Sequence, residues 1–128
     1  MSSQLEIINP SSFGPALAPY SQAVAANGML YVAGQVALDN DNNVVAPGDV
    51  AAQTAVCIDR IKVILAEKGK DLTSIVSANV WLSDPNDFAA FNEAWGKEFG
   101  DHRPARAAVI SQLLLPGVVV EIMPLVVL

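Results

Sequence analysis

Two ionisable residues interrupt otherwise apolar segments in the last quarter of the chain. Arg106 lies in the apolar stretch 105–110, and Glu121 follows three consecutive valines. An arginine with short neighbours can present its planar guanidinium to a carboxylate, although most strand arginines are solvated. A buried glutamate would have a raised pKa and could move a proton or orient water, although glutamates on edge strands are normally exposed. The residues alone favour the exposed alternative for each.

The placement of Arg106 relative to Glu121 depends on the connection between them. A tight turn at Pro116-Gly117 would pair Gln112 with Glu121. Arg106 would then lie on the same sheet face as Glu121, but roughly 20 Å away along the strand. A wider loop, or a site shared between subunits, would bring the two closer. The sequence leaves these alternatives open.

Three further side chains carry groups that could react. His102 stands in a loop beside Arg103 and Pro104, where a histidine is more often solvated or capping than catalytic, although its titration range suits a pH switch. Tyr20 follows a proline and either covers the core or lines a pocket. Cys57, the single cysteine, falls on an apolar helical stripe and is predicted to lie in the core.

Several function classes lack their sequence signatures. The eight glycines are dispersed and form no phosphate-binding loop, and there is no G-x-S-x-G element. One histidine and one cysteine do not make a usual zinc site. We therefore expect no metal and no cofactor. A net charge of −6 with seven scattered basic residues also disfavours nucleic-acid binding.

The composition predicts one domain that associates with copies of itself. The 128 residues suffice for one core, and 52% of them are hydrophobic. Only 16% are charged, against roughly 25% in an average domain, so we expect apolar surface to be covered by other subunits. The N-terminus lacks the plan of a signal peptide, and no apolar run could span a membrane. A cytoplasmic location is predicted.

Hydrophobic periodicity predicts the order β-(ββ)-α-β-α-β-β. Both helices have a single apolar stripe, with Arg60 expected on another face of the first helix and Phe88 on the stripe of the second. This pattern indicates an α+β fold with two helices on one face of a sheet. The other face would then be wet or covered by subunits. A proline at position 124, which cannot donate to a strand ladder, predicts an edge or a bulge in the last strand. The predicted elements are a strand at 5–8, an irregular arm at 11–19, a hairpin of 21–26 and 29–33 around a type I′ Asn27-Gly28 turn, a helix from about Pro47 to Gly69, a strand at 75–82, a helix at 86–99 and two strands at 105–113 and 118–127.

Segments along nearly the whole chain resemble the Rid (reactive intermediate deaminase, YjgF-type) family. The segment PAR at 104–106 and the segment PYSQ at 19–22 are the most specific of them. In order, the matching segments are APYSQAV at 18–24, LYVAGQ at 30–35, DFAAFN at 87–92, FGDHRPAR at 99–106, LP at 115–116 and VEI at 120–122.

The resemblance implies a chorismate-mutase-like α+β fold and a homotrimer, with active sites in the clefts between subunits. It also implies hydrolysis of an enamine or imine carboxylate to a keto acid and ammonia, without metal or organic cofactor. By the same resemblance, Arg106 anchors the substrate carboxylate and Glu121 helps to place the attacking water. The residues that would line or contact the substrate are Tyr20, Gly34, Asn92 and Ala108.

Some positions depart from the family pattern. Ala18 replaces a glycine, Ala33 replaces a serine, and Ala107-Ala108 replace a Ser-Cys pair. Two hydroxyls and a thiol are lost, so the cleft should be roomier and less polar. We therefore hypothesise a larger substrate, and the family contains 2-aminomuconate deaminases of aromatic degradation.

Other functions remain as alternatives. One is a deaminase acting on 2-aminoacrylate, and another is a non-catalytic trimer that binds a keto acid. The presence of Glu121 argues against the second, because anion binding alone does not call for a nearby carboxylate. The ribonuclease or translation-inhibitor role ascribed to some relatives fits poorly with a sequence pI of about 4.4.

Overall fold

The computed structural model describes residues 4–128, which form one mixed six-stranded sheet with two helices on one face. The α+β class and the predicted element order are confirmed. The elements are β1 (Glu6–Ile8), β2 (Ala23–Ala26), β3 (Met29–Val32), α1 (Val50–Ala66), β4 (Ile75–Leu82), α2 (Phe88–Phe99), β5 (Ala105–Ile110) and β6 (Val120–Val127), with short 3-10 turns at Leu72–Ser74 and Pro85–Asp87. The strands follow one another across the sheet as β1-β2-β3-β6-β4-β5. No helix within the described range is long and apolar enough to cross a membrane.

The first hairpin forms at the predicted turn. Asn27 and Gly28 have φ angles of 53° and 76°, both in the left-handed region that a type I′ turn requires. Ala26 therefore pairs with Met29, and β2 and β3 continue antiparallel from there.

Helix α1 buries the predicted stripe and one residue that was not expected there. Asp49 caps the helix, because its carboxylate accepts from the Ala52 amide at 3.0 Å. Cys57 and Ile58 are fully buried, as predicted. The expectation that Arg60 occupies an outer face is wrong, since only 8% of its surface is exposed. Arg60 lies seven positions after the buried Gln53, which places both on the same face of the helix.

Helix α2 packs its aromatic residues against the sheet. Phe91, Trp95 and Phe99 are buried, and the last two stack with their ring centres 4.2 Å apart. Phe88 was predicted to join this stripe, but it is 46% exposed at the first residue of the helix. Gly100 ends the helix with a positive φ of 58°.

The closing strands do not form the hairpin that a tight turn at Pro116-Gly117 would make. Strand β5 runs parallel to β4, because α2 connects the two and carries the chain back to the starting end of the sheet. Strand β6 instead lies between β3 and β4 and is antiparallel to both. Gln112 therefore does not pair with Glu121, which lies opposite Trp81.

Pro124 lies in a central strand, so the prediction of an edge position is wrong. The N–H and C=O groups of Ile122 both bond to Gln35, on the β3 side of β6. Alternate residues of a strand direct these groups to the same side, so the ring nitrogen of Pro124 also faces the β3 side. On that side the pairing of β3 with β6 ends at Tyr31 and Leu125, and the next bridge is between Gln35 and Ile122. Pro124 lies between these two points, where no N–H donor is needed. The bulge in the pairing of β4 with β6 lies in β4, between Ile75 and Ser77, and not in the last strand as predicted.

The two sheet faces differ in what covers them. The face under the helices carries Ala78, Val80 and Ile122, which belong to a single buried cluster. The other face, called the open face below, carries apolar side chains that no helix or strand of residues 4–128 covers. Tyr31 is 52% exposed and Met123 is 36% exposed on it.

Candidate active site

The Arg106 side chain lies over α2 on the helix face of the sheet. Arg106 pairs with the buried Ala78, and its guanidinium carbon is 5.1 Å from the ring centre of Phe91 and 5.0 Å from that of Trp95. One terminal nitrogen, Nη2, donates to Asn92 Oδ1 at 2.7 Å. Partial burial lowers the pKa of Arg106 from its ordinary value. The aromatic rings and the amide thus fix the plane of the guanidinium.

The remaining donors of Arg106 are free to bind a ligand. Within residues 4–128 no carboxylate lies within ion-pair distance of Arg106, and the only hydrogen bond of its side chain goes to Asn92. A cleft of about 340 Å³ opens beside it, with Trp95, His102 and Arg103 among its walls. A fixed guanidinium with unused N–H groups at a cleft suits bidentate binding of a carboxylate.

Glu121 lies on the open face, next to the segment that follows β3. Its carboxyl group is half-buried, and desolvation raises its pKa. A Cβ atom added at Gly34 would overlap Glu121 Oε2, so the absence of a side chain there lets the carboxylate occupy this position. The neighbouring residues hold the two together, because Gln35 and Ile122 exchange backbone hydrogen bonds of 2.8 and 3.0 Å. The structure thus brings Gly34 and Glu121 into one site.

The side chains of Arg106 and Glu121 point to opposite faces of the sheet within one chain. Arg106 pairs with Ala78, and Glu121 pairs with Trp81 three positions further along β4. Side chains three apart on a strand point to opposite faces. The arrangement that would place both on one face is therefore wrong, because β5 and β6 flank β4 on its two sides instead of pairing with each other.

Tyr20 and Ala108 lie in separate places. Tyr20 is 46% exposed and lines a cavity of about 250 Å³ together with Phe13 and Gln22. Ala108 lies on β5, two residues beyond Arg106, and pairs with Val80 of β4. Within the described residues β5 pairs only with β4, so its outer backbone groups are available to a ligand or another chain.

The single histidine and the single cysteine have structural surroundings. His102 is partly buried, and its Nε2 lies 2.9 Å from the Ile75 carbonyl oxygen, which anchors the loop before β5. Cys57 is fully buried and desolvation raises its pKa to about 12, so it is no nucleophile. Among residues 4–128 no cluster of histidine, cysteine or carboxylate side chains could hold a metal ion.

A buried polar network behind Gly34 was not predicted from the sequence. Gln22, Gln35 and Arg60 are buried and connected by hydrogen bonds between their side chains. Both glutamines stand inside segments that resemble the Rid family, which was one available signal. The helical spacing of Arg60 from Gln53 and Cys57 was another, since it places the arginine on the buried face.

Comparison with known proteins gives consistent matches over nearly the whole chain. The family described as Endoribonuclease L-PSP matches residues 12–128. The chain is 39% identical to the 3-aminoacrylate deaminase RutC of Acinetobacter baylyi over 117 residues, covering 91% of this chain and 93% of that protein.

Solved structures match the fold as well. A crystal structure of RidA from an Antarctic Psychrobacter has a TM-score of 0.88 and 32% identity, over 96% of this chain and 99% of that one. The crystal structure of Escherichia coli TdcF with bound serine has a TM-score of 0.86 and 28% identity, over 95% and 98% of the two chains. The matched family pattern, a relative of similar length and these folds agree: the chain belongs to the Endoribonuclease L-PSP family, also known as the YjgF/Rid family.

Proposed function

We propose that the protein is a deaminase that hydrolyses an enamine or imine carboxylate to a keto acid and ammonia. The observation that carries this proposal is the Arg106 guanidinium. Its orientation is fixed by Phe91, Trp95 and Asn92. It has no carboxylate partner within residues 4–128, and it faces an open cleft. A carboxylate group of the substrate would complete its hydrogen bonds and place the adjacent C=N carbon at a defined position.

The proposed reaction needs a fixed substrate, one oriented water and a route for protons. An enamine first tautomerises to the imine, whose carbon is electrophilic. Water adds to that carbon, and Glu121 passes one proton from the water to the nitrogen, which gives a carbinolamine. The hydroxyl then gives up its proton, also through Glu121 to the nitrogen, as the C=O bond forms and the C–N bond breaks. Ammonia leaves and the keto acid remains. The raised pKa of Glu121 suits this exchange, because the group can gain and lose a proton closer to neutral pH than an ordinary glutamate.

The other residues have supporting roles in this proposal. Asn92 orients Arg106, Tyr20 lines the cleft, and the backbone near Gly34 and Ala108 contacts the nitrogen or the carboxylate. Gly34 also has a steric role, since any side chain there would displace the Glu121 carboxylate.

We further propose that the working unit is a homotrimer in the cytoplasm, with the active site shared by two subunits. Arg106 and Glu121 leave opposite faces of one chain, so a site that uses both is most simply built from two copies. The open face supports association, because exposed apolar side chains such as Tyr31 and Met123 line a shallow cavity of about 270 Å³ on it.

For the substrate we propose 2-aminomuconate or a similar dicarboxylate. Ala107 and Ala108 leave space beside Arg106, and Ala33 adjoins Gly34. Arg103 lines the same cleft as Arg106 and has no hydrogen bond or ion pair within residues 4–128, so it could meet a second carboxylate. The net charge of −6 makes such local cations necessary for binding a dianion.

The test compares ammonia release from 2-aminomuconate and from 2-aminoacrylate, each generated in the assay by a separate enzyme. We expect a higher kcat/KM for 2-aminomuconate, and we expect Arg103→Gln to lower kcat/KM for that substrate while leaving 2-aminoacrylate little affected. Equal or faster turnover of 2-aminoacrylate would refute the proposal of a larger substrate and leave the proposed deaminase activity intact. The similarity to a 3-aminoacrylate deaminase makes a small aminoacrylate the second candidate. Binding of a keto acid without ammonia release above background would refute the enzyme.

A further inference from the structure

Arg60 is a buried cation without a carboxylate partner. It lies on α1 with 8% of its surface exposed, and no acidic side chain within residues 4–128 is within ion-pair distance of it. Burial lowers its pKa, partly opposed by the nearby groups of Cys57 and Tyr20. Burying an arginine costs free energy unless its N–H groups are hydrogen-bonded. The contacts of Arg60 therefore indicate its role in the protein.

Two edges of the guanidinium bond to the segment that carries Gly34. Nε donates to Gln35 Oε1 at 3.1 Å, and Nη1 donates to the Leu38 carbonyl oxygen at 3.2 Å. Gln35 exchanges backbone hydrogen bonds with Ile122, the residue after Glu121. Arg60 therefore supports, from behind, the stretch of chain whose glycine makes room for the Glu121 carboxylate.

The same network reaches the segment that carries Tyr20. Gln35 links Arg60 to this segment, because its Nε2 donates to Gln22 Oε1 at 2.9 Å. The same nitrogen donates to the Ala33 carbonyl oxygen at 3.1 Å. Gln22 stands two residues after Tyr20, and its backbone amide donates to Asn9 Oδ1 at 2.9 Å.

The face of the guanidinium holds the irregular arm of residues 11–19. The Arg60 guanidinium carbon lies 4.1 Å from the ring centre of Phe13. Phe13 and Tyr20 line the same cavity of about 250 Å³. The arm has no helix or strand of its own. This stacking contact is therefore one of the few that can fix the position of the arm, and with it the position of Tyr20.

We propose that Arg60 is a positioning residue that joins the Tyr20 arm to the Gly34–Glu121 site. Arginine suits this task because its planar fork bonds two acceptors at its edge while its face stacks on an aromatic ring. Lysine would keep the charge but offers neither the second fixed donor nor the flat face. This inference rests on the proposed deaminase function, in which Tyr20, Gly34 and Glu121 share a cleft.

The experiment compares Arg60→Lys and Arg60→Met with Lys62→Met, an exposed position on the same helix that also loses a charge. We expect both Arg60 variants to lower kcat at least tenfold, with little change in the KM of the carboxylate substrate, because Arg106 still anchors it. Lys62→Met should stay within twofold of wild type. The dissociation constant for 2-ketobutyrate should likewise be unchanged in Arg60→Lys.

A double-mutant cycle separates positioning from loss of folding. Arg60→Lys and Tyr20→Phe should be non-additive in kcat, since both act through the placement of Tyr20, whereas Arg60→Lys and Arg106→Lys should be additive. Additivity with Tyr20→Phe, or an unchanged kcat in soluble Arg60→Lys, would overturn the proposal.

Hydrogen exchange gives a readout that does not depend on turnover. In Arg60→Lys, we expect faster exchange of the amides at 11–20 and 33–38, with α2 unchanged. If the wild-type protein releases no ammonia from any substrate, the proposed function fails, and this measurement still decides the role of Arg60: unchanged exchange in both segments would overturn it.

Discussion

At the scale of single residues, the guanidinium of Arg106 does more than supply a positive charge. Its plane is set by two aromatic rings and by Asn92, and its unused N–H groups face the cleft. A lysine at this position would keep the charge and lose the fixed pair of donors.

Arg106→Lys should therefore lower kcat/KM on the order of ten- to a hundredfold, the range expected for losing one charge-assisted hydrogen bond. Steady-state ammonia release measures this. Asn92→Ala should produce a smaller loss in the same direction, because it frees the guanidinium without removing it. A lysine variant as active as wild type would show that charge alone suffices.

Glu121 has a pKa that links stability to pH. Desolvation raises its folded pKa above the ordinary value of 4.5, so the unfolded chain ionises this group at lower pH than the folded chain does. Ionisation thus costs folding free energy that is absent below about pH 4.5, grows as the pH rises through the folded pKa, and stays constant above it.

Glu121→Gln removes that cost. We expect its Tm to exceed the wild-type Tm by a margin that is smallest near pH 4 and largest above the raised pKa, while deaminase activity falls on the order of a hundredfold. Thermal unfolding from pH 4 to 8 measures the margin, with Glu93→Gln on the exposed face of α2 as control. A margin that does not change with pH would contradict the burial of this charge.

At the scale of elements, the helices do more than cover the sheet. Gln53 of α1 is fully buried and donates to the carbonyl oxygens of Val45, Ala46 and Gly117, at 2.8 Å for the last, and it accepts from the Val119 amide at 2.9 Å. One side chain thus fixes the loop that leads into β6, the central strand carrying Glu121.

Gln53→Met keeps the volume but leaves these backbone groups without partners. We expect a loss of stability on the order of 2–3 kcal/mol, because buried unsatisfied groups cost about 1–3 kcal/mol each. Urea unfolding at fixed protein concentration measures this, with Asp59→Ala on the exposed face of α1 as control. If both variants lose the same small amount, Gln53 does not hold the loop.

At the scale of the whole molecule, the described part of one chain leaves apolar surface exposed on the open face and on the edge strand β5. Val109 and Ile110 on β5 are each about half exposed, with 51% and 52% of their surface accessible. Exposed apolar surface on this scale indicates contact with other chains, and the proposed homotrimer would bury it.

Met123→Lys places a charge in the middle of the open face. We expect it to convert the proposed trimer to smaller species and to abolish turnover, because the proposed site needs two chains. Light scattering coupled to size-exclusion chromatography measures the mass. Val63→Lys, an exposed apolar position on α1, should leave the trimer intact. A wild-type monomer with full activity would refute the shared site.

Local patterns were enough to predict the elements of this protein. The Asn27-Gly28 turn, the stripe around Cys57 and the alternation in Ile75–Leu82 depend on neighbours within a few residues, and each was confirmed. The motifs along the chain, above all the segments at 19–22 and 104–106, indicated the family, which the comparisons confirm.

Only the tertiary structure decided which elements meet. Strand β6 inserts between β3 and β4, which moves Glu121 to the face opposite Arg106, and Arg60 turns inward because Gln35 and Leu38 bring acceptors from elsewhere in the chain. Periodicity records which side of an element is buried. Strand order and the partner of a buried polar group depend instead on contacts between residues far apart in the sequence, which no local spacing contains.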